Sequence, residues 1–407
     1  MKYLNYFNDF KESALAPLHS FSLLTEAFLD PLPIPSLGPL QKYMMATSHF
    51  LERETRIFDK PKFEITEVKS EDTIYQIEEK TVMKKPFCNL KHFKKVGFTK
   101  HQEVVVVFAP YSGHHATLLR DTVKTLLQDF DVYITDWVSA SLVPMNEGDF
   151  NLEHYIDYVL DFIRHFKGDC HILAVCQPAV PVLIASSLLA QYKEPSQPKS
   201  MVLMGGPVDA RVNPGPVNTF SKEHDMDWFE DNLVTRVGPS KKGAGRLICP
   251  GFLLLDGFMI LNLERHEDAL KNYYNNLVIG DMDSAHVHEK FYDEYRSVLD
   301  LPAHYYLDSI NIAFKRHDLA KGRYRWRGHL VDPGAITKTA LMSVEGEKDD
   351  ISCPGQTLAA HDLCKNLPAH KKDHHMQKAV GHYGLFNGTR WRTQIYPHIR
   401  EFMWKNA

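Results

Sequence analysis

The chain has 407 residues, 44% hydrophobic and 24% charged. That excludes a disordered or collagen-like polymer and leaves room for two or three domains at roughly 100–200 residues each, or for one domain with a large insertion. Lys and Arg number 47 against 51 Asp and Glu, a formal net charge of -4, so no basic excess marks a nucleic-acid binder. No apolar run reaches the ~18 residues of a spanning helix. Asp9, Lys11 and Glu12 interrupt the first apolar stretch, so no signal peptide is read there and a cytoplasmic protein is expected. The six cysteines, Cys88, Cys170, Cys176, Cys249, Cys353 and Cys364, are sparse and form no C-x-x-C pair. Free thiols are expected, without a disulfide framework or structural zinc.

Residues 1–60 are predicted largely helical, because Phe7, Phe10, Leu15, Leu18 and Phe21 recur at helical spacing. The prolines of 30–40 forbid one continuous helix. A segment of this kind is expected to pack on its own domain. Segments 63–68 and 73–79 alternate like strands of a hairpin or sheet edge. EVVVVFAP (103–110) is a continuous β-branched run, suited to a strand buried on both faces. A helix (115–130), a strand (131–138), a helix (152–166), a strand (170–175), a helix (177–192) and a strand (199–206) follow. Pro178 and Pro181 fall in the first turn of the 177–192 helix, where a missing N–H costs little.

This alternation predicts right-handed βαβ units and a parallel sheet. It lapses over 215–330, a mixed and mainly helical stretch with Pro and Gly breaks at 238–251. It resumes with a strand (339–346), a helix (354–367), a strand (373–380) and a closing helix (391–406). The expectation is an α/β domain in two parts, 61–214 and 331–407, interrupted by a cap at 215–330 and preceded by a helical extension at 1–60.

The string AVCQPAVP (174–181) carries the chemistry. A buried strand ends at Val175, Cys176 sits on the turn, and a helix starts at Gln177. Such an elbow lifts the nucleophile out of the sheet and places it where helix N–H groups favour a thiolate. The Gln177 backbone N–H then faces an oxyanion. Ala174 preserves the small flank that an elbow needs.

A thiolate nucleophile needs a base, and the base an orienting acid. In α/β-hydrolases the order is nucleophile, acid, His. Asp349 and Asp350 both follow the 339–346 strand, and the spacing from Gly346 selects Asp349. His382 stands in a glycine-bracketed loop after the next strand. The second oxyanion donor is expected from the loop after EVVVVF, at Tyr111 or Ser112. His370, His374 and His375 lack a metal-site pattern, and 280–289 lacks the Gly and Glu spacing of a calcium loop. No phosphate-loop or dinucleotide motif is present. Neither metal nor cofactor is expected.

At this point ALAPLHSF, FAPYSGHHATLLRDTV, VYITDWV, ILAVCQPAVP, VLMGGPVDARVNPGPVN, VEGEKDDIS and GHYGLFNG stand together over nearly the whole chain. In them the sequence resembles the intracellular polyhydroxybutyrate depolymerases, α/β-hydrolases with a Cys nucleophile. AVCQPAVP differs from the G-x-C-x-G box of the related polyester synthases. The resemblance implies a mostly parallel sheet flanked by helices and a triad of Cys176, Asp349 and His382. It also implies a substrate, amorphous poly(3-hydroxybutyrate) at the surface of cytoplasmic storage granules, and hydroxybutyrate oligomers or monomer as products. Coenzyme A enters only as a co-substrate for thiolysis beside hydrolysis.

Overall fold

Short β-branched runs set between helices dictate the architecture of the computed structural model, which describes residues 4–29, 38–261 and 263–407. The chain opens with helices α1 (Leu4–Leu29) and α2 (Gly38–Thr55). Strands β1 (Glu67–Ser70), β2 (Thr73–Lys84), β3 (Cys88–Lys95) and β4 (Val104–Phe108) follow. Then helices and strands alternate: α3 (Arg120–Leu126), β5 (Asp131–Trp137), α4 (Leu152–His165), β6 (His171–Val175), α5 (Ala179–Gln191) and β7 (Ser200–Met204).

The chain next leaves the sheet for α6 (Pro216–Glu223), α7 (Met226–Leu233), β8 (Thr235–Arg236), β9 (Leu247–Cys249), α8 (Gly251–Leu261), α9 (Leu263–Ile279), α10 (Met282–Arg296), β10 (Leu301–Pro302), α11 (Ala303–Ile310), β11 (Arg325–Trp326) and β12 (His329–Leu330). It returns with β13 (Ala340–Gly346), α12 (Ala360–Leu363), β14 (Lys372–Gln377), α13 (Gly388–Arg390) and α14 (Tyr396–Lys405).

Nine strands form the main sheet in the order β1-β2-β3-β5-β4-β6-β7-β13-β14. The six from β5 to β14 pair in parallel. The first three pair antiparallel, and β3 pairs antiparallel with β5. β4 lies between β5 and β6, with Val107 opposite both Ile134 and Leu173. The chain therefore runs to one side of β4 and then crosses to the other. At such a switch point the loops leaving neighbouring strands diverge and open a crevice. The crevice here lies between the loops after β4 and β6.

Two-residue periodicity divides the core between the two faces. Val106, Phe108, Ile172, Ala174 and Leu203 face the side packed with α4 and α5 residues. Val105, Val107, Leu173, Val175 and Val202 face the side packed with α3 and α14 residues. Both faces are dry, which explains why these strands read as continuous apolar runs.

Several elements differ from the sequence reading. The strand expected at 63–68 begins only at Glu67, because Glu64 adopts a left-handed φ of 51° that breaks extended pairing. The strand expected at 73–79 runs on to Lys84. β3, which sequence reading did not anticipate, hides Cys88, Leu90 and Phe93 among lysines and a histidine. The helix expected over 115–130 begins as a 3-10 turn at Ala116–Leu119, and its α-helical part ends at Leu126. The helix expected over 354–367 shrinks to Ala360–Leu363. Its first N–H groups are taken by a carboxylate instead: Glu345, fully buried in β13, accepts from Gly355, Thr357 and Leu358 at 2.9, 2.7 and 3.0 Å.

The N-terminal helices pair, with Ser48 Oγ donating to the Ser22 carbonyl at 2.8 Å. α2 is pinned to the insertion by His49–Glu289 at 2.8 Å and by Arg53–Asp293. Phe21 and Leu24 point outward, while the side chains of Phe7 and Phe10 and most of the proline-rich stretch lie outside the described residues. Among the described residues all six cysteines are free, and no helix is long and apolar enough to cross a membrane.

Candidate active site

Cys176 follows β6 directly and adopts φ 66°, left-handed for a residue with a Cβ. That conformation costs roughly 1–2 kcal/mol, and the surroundings impose it. The Cys176 N–H donates to Met204 O of β7 at 2.7 Å, and its carbonyl accepts from Ala179 N at 3.1 Å. Gly206 lies against the turn. A Cβ there would come 2.2 Å from Ala179 Cβ and 2.7 Å from Cys176 O, so only glycine lets β7 leave beside the elbow. α5 runs away from the turn, and its positive end faces the thiol.

Asp349 lies three residues past β13, where its N–H donates to Gly346 O at 3.1 Å. One carboxylate oxygen, Oδ1, accepts from the N–H groups of Ile351 and Ser352 at 3.0 and 2.9 Å. The other, Oδ2, meets His382 Nδ1 at 2.8 Å. Asp350 does not make this contact. His382 opens a 3-10 turn after β14 and is buried, as is Asp349. With Nδ1 on the carboxylate, Nε2 is the ring nitrogen left to face Cys176, which interacts electrostatically with His382.

Burial by itself would lower the His382 pKa. The Asp349 carboxylate and the Cys176 thiol outweigh it and hold the imidazole well above its ordinary value. The arrangement therefore favours an imidazolium beside the Asp349 carboxylate.

The loop after β4 brings in Tyr111. Its ring is buried, stacks on Trp137 at 4.7 Å and 8°, and donates its hydroxyl to Val138 O at 2.9 Å. Trp137 Nε1 in turn donates to Ala109 O at 2.9 Å. So braced, the Tyr111 backbone N–H points at the elbow, where its acceptor is the Gln177 side-chain oxygen at 3.4 Å. Ser112 lines the same space. The loop is tied to the insertion through Leu299 N–H, which donates to Gly113 O at 2.7 Å.

A cavity of about 440 Å³ opens beside Cys176, Gln177, Tyr111 and Ser112. Its far wall comes from the insertion: Val217, Phe229, Leu254, Tyr306 and Ile312. The particular side chains of this wall were not singled out by sequence reading, and neither was Glu345, which shapes the loop after Asp349. An acid inside the otherwise apolar ALMSVEG was the available signal, since such a residue is almost never buried without partners. Among the described residues no cluster of His, Cys, Asp or Glu side chains could hold a metal ion. His374 instead meets Ser343 Oγ at 2.8 Å, and Asp281 caps α10.

Chemistry gathered at the carboxyl ends of parallel strands, under a helical insertion, makes the protein an α/β-hydrolase. Residues 205–407 match the family described as PHB de-polymerase C-terminus. No curated protein matches the sequence. Among solved structures, the chain is similar to a thermophilic esterase from Thermogutta terrifontis at 12% identity and a TM-score of 0.44, over 81% of this chain and 99% of that one. It is similar to a monoacylglycerol lipase of Paleococcus ferrophilus at 12% and 0.41, over 75% and 96%. An epoxide hydrolase from Vigna radiata stands at 14% and 0.42, over 81% and 98%.

Proposed function

We propose that the protein is a poly(3-hydroxybutyrate) depolymerase that cleaves the polyester through a thioester on Cys176. The observation that carries this reading is His382, hydrogen-bonded through Nδ1 to Asp349 at 2.8 Å, with its charge state coupled to Cys176 at the end of β6. His382 takes the Cys176 proton while Asp349 holds its tautomer. The thiolate attacks an ester carbonyl carbon, and the carbonyl oxygen becomes an oxyanion facing the N–H groups of Gln177 and of the Tyr111–Ser112 loop. Such donors supply about 2.7–4 kcal/mol each.

The C–O bond then breaks, and the alcohol end of the polymer leaves with the proton from His382. Water attacks the thioester and gives its proton to His382. The carboxylic acid is released and the thiol restored. Coenzyme A thiol in place of water would release 3-hydroxybutyryl-CoA instead.

The apolar cavity suits the acyl part of such a polymer. Ile260 lines it and is also 71% exposed, so apolar surface continues outward from the site. This supports action at the surface of an amorphous granule in the cytoplasm. The test is incubation of wild type and Cys176→Ala with native amorphous polyhydroxybutyrate granules, with and without coenzyme A, and mass analysis of soluble products. Free acids or oligomers from wild type alone establish a Cys-dependent hydrolase. Product appearing only as the CoA thioester establishes thiolysis. Granule binding without Cys176-dependent product would leave a coat protein, and polymer growth from hydroxyacyl-CoA a synthase.

A further inference from the structure

We infer that the Gln177 carboxamide occupies the oxyanion site of the free enzyme and is displaced by the substrate carbonyl. The inference rests on Cys176 being the nucleophile. The atom facing the Tyr111 N–H must be an acceptor, so it is the side-chain oxygen of Gln177, at 3.4 Å. It does for that N–H what the oxygen of a bound ester would do. Gln177, Tyr111, Ser112 and Cys176 all line one cavity.

Of the two partners, only Gln177 is free to move. Tyr111 is immobilised by its buried ring, its Val138 hydrogen bond and its stacking on Trp137 and Tyr305. Among the described residues, no other hydrogen bond holds the Gln177 carboxamide. Tyr111 is fully buried, so an unpaired N–H there would be costly. The carboxamide relieves this cost at rest through one long, weak bond. A developing oxyanion makes a charge-assisted bond to the same N–H, roughly twice as strong as a neutral one, and so outcompetes the carboxamide. The substrate must first dislodge the carboxamide, and that step weighs on KM.

The test uses the full chain and a soluble 3-hydroxybutyrate oligomer. Gln177→Ala removes the occupant. Its kcat/KM is expected to rise about fivefold, the worth of one neutral hydrogen bond, with the gain residing in KM. Gln177→Glu binds the same N–H more tightly and repels the oxyanion. Its kcat/KM is expected to fall about tenfold or more at neutral pH, and to recover relative to wild type as the carboxylate is protonated.

A fall in kcat of about 10²–10³ in Gln177→Ala would overturn the inference, because it would make the carboxamide an oxyanion donor. An unchanged KM in that variant would overturn it too. A crystal structure of the butyraldehyde hemithioacetal on Cys176 reads the site without turnover. Aldehyde oxygen on the Tyr111 N–H, with the carboxamide swung away, supports displacement, and Gln177 still bonded there refutes it. If the wild type showed neither adduct nor turnover, the nucleophile reading itself would fall, and this one with it.

Discussion

Thr357 and Gly206 exchange two hydrogen bonds: the Thr357 hydroxyl accepts from Gly206 N at 2.9 Å and donates to Gly206 O at 2.9 Å. Thr357 belongs to the loop that follows Asp349, and Gly206 packs on the Cys176 turn. One side chain thereby clamps the Asp349 loop to the Cys176 turn. Thr357→Val keeps the shape and leaves the buried Gly206 N–H unpaired, while Gly206 O retains the Val208 N–H at 2.9 Å. It is expected to cost about 1–3 kcal/mol, read from the urea midpoint. If the clamp also sets the distance from Asp349 to the elbow, kcat on a soluble ester drops by up to about a hundredfold. A stability loss with kcat intact would show that the clamp serves folding alone.

The left-handed turn at Cys176 sets a second expectation. Ala at this position still carries a Cβ and retains the cost of roughly 1–2 kcal/mol. Gly avoids it but gives back about 0.4–1 kcal/mol in unfolded-chain entropy. Cys176→Gly should therefore be more stable than Cys176→Ala by about 0.5 kcal/mol, with both variants inactive. Paired chemical denaturation measures the difference, and a less stable Gly variant would contradict it.

His382 titrates under opposing influences. Burial lowers its pKa, and Asp349 and Cys176 together raise it well above 6.5. Asp349→Asn removes the chief raising influence, so burial should prevail and the imidazole should titrate below 6.5. Histidine ring chemical shifts followed by NMR across pH would report it. The sign for stability follows from the raised folded value. The stabilisation is complete below about pH 6.5 and is lost as pH rises through the folded pKa. The stability gap between wild type and Asp349→Asn should therefore narrow on the alkaline side.

His114 and His115 act in the opposite sense. Burial lowers their pKa values to about 4 and about 3, with nearby Lys60 adding to the effect on His115. Neither His114 Nε2 nor His115 Nδ1 has a hydrogen-bond partner. Both rings bind protons more readily in the unfolded chain, so stability falls as pH drops from about 6.5 towards 4. The loss is on the order of 2–3 kcal/mol for each ring. His115→Gln should flatten the acid limb of a stability–pH curve, and an unaltered limb would count against the assignment.

Legibility of the fold tracks how local the determining physics is. β4, β6 and α5 were readable because apolar runs, a helix start and the prolines of the first turn all act within a few residues. The Cys176 elbow was readable for the same reason, and His382 through the glycine before it and the loop that follows the last strand. β3 was not readable, because its buried positions alternate with charged ones whose partners lie on other strands, as with Lys91 and Glu79 of β2. The 354–367 helix was misread at its start because Glu345, ten or more residues upstream, holds the Gly355 and Thr357 N–H groups in a turn that local spacing does not reveal.

By itself the sequence determined the alternation of strands and helices, the turn that carries Cys176 between β6 and α5, and the two carboxylates eligible to face His382. Those features follow from periodicity, propensity and spacing, which are properties of neighbours along the chain. Only the tertiary structure decided which carboxylate meets the imidazole, where the Tyr111 N–H points, and which insertion side chains wall the cavity. Asp349 and His382 are 33 residues apart and Tyr111 and Gln177 are 66 apart. Contacts at such separations depend on the sheet crossing at β4, and on buried polar groups such as Glu345 and Thr357 that must find partners wherever the fold supplies them.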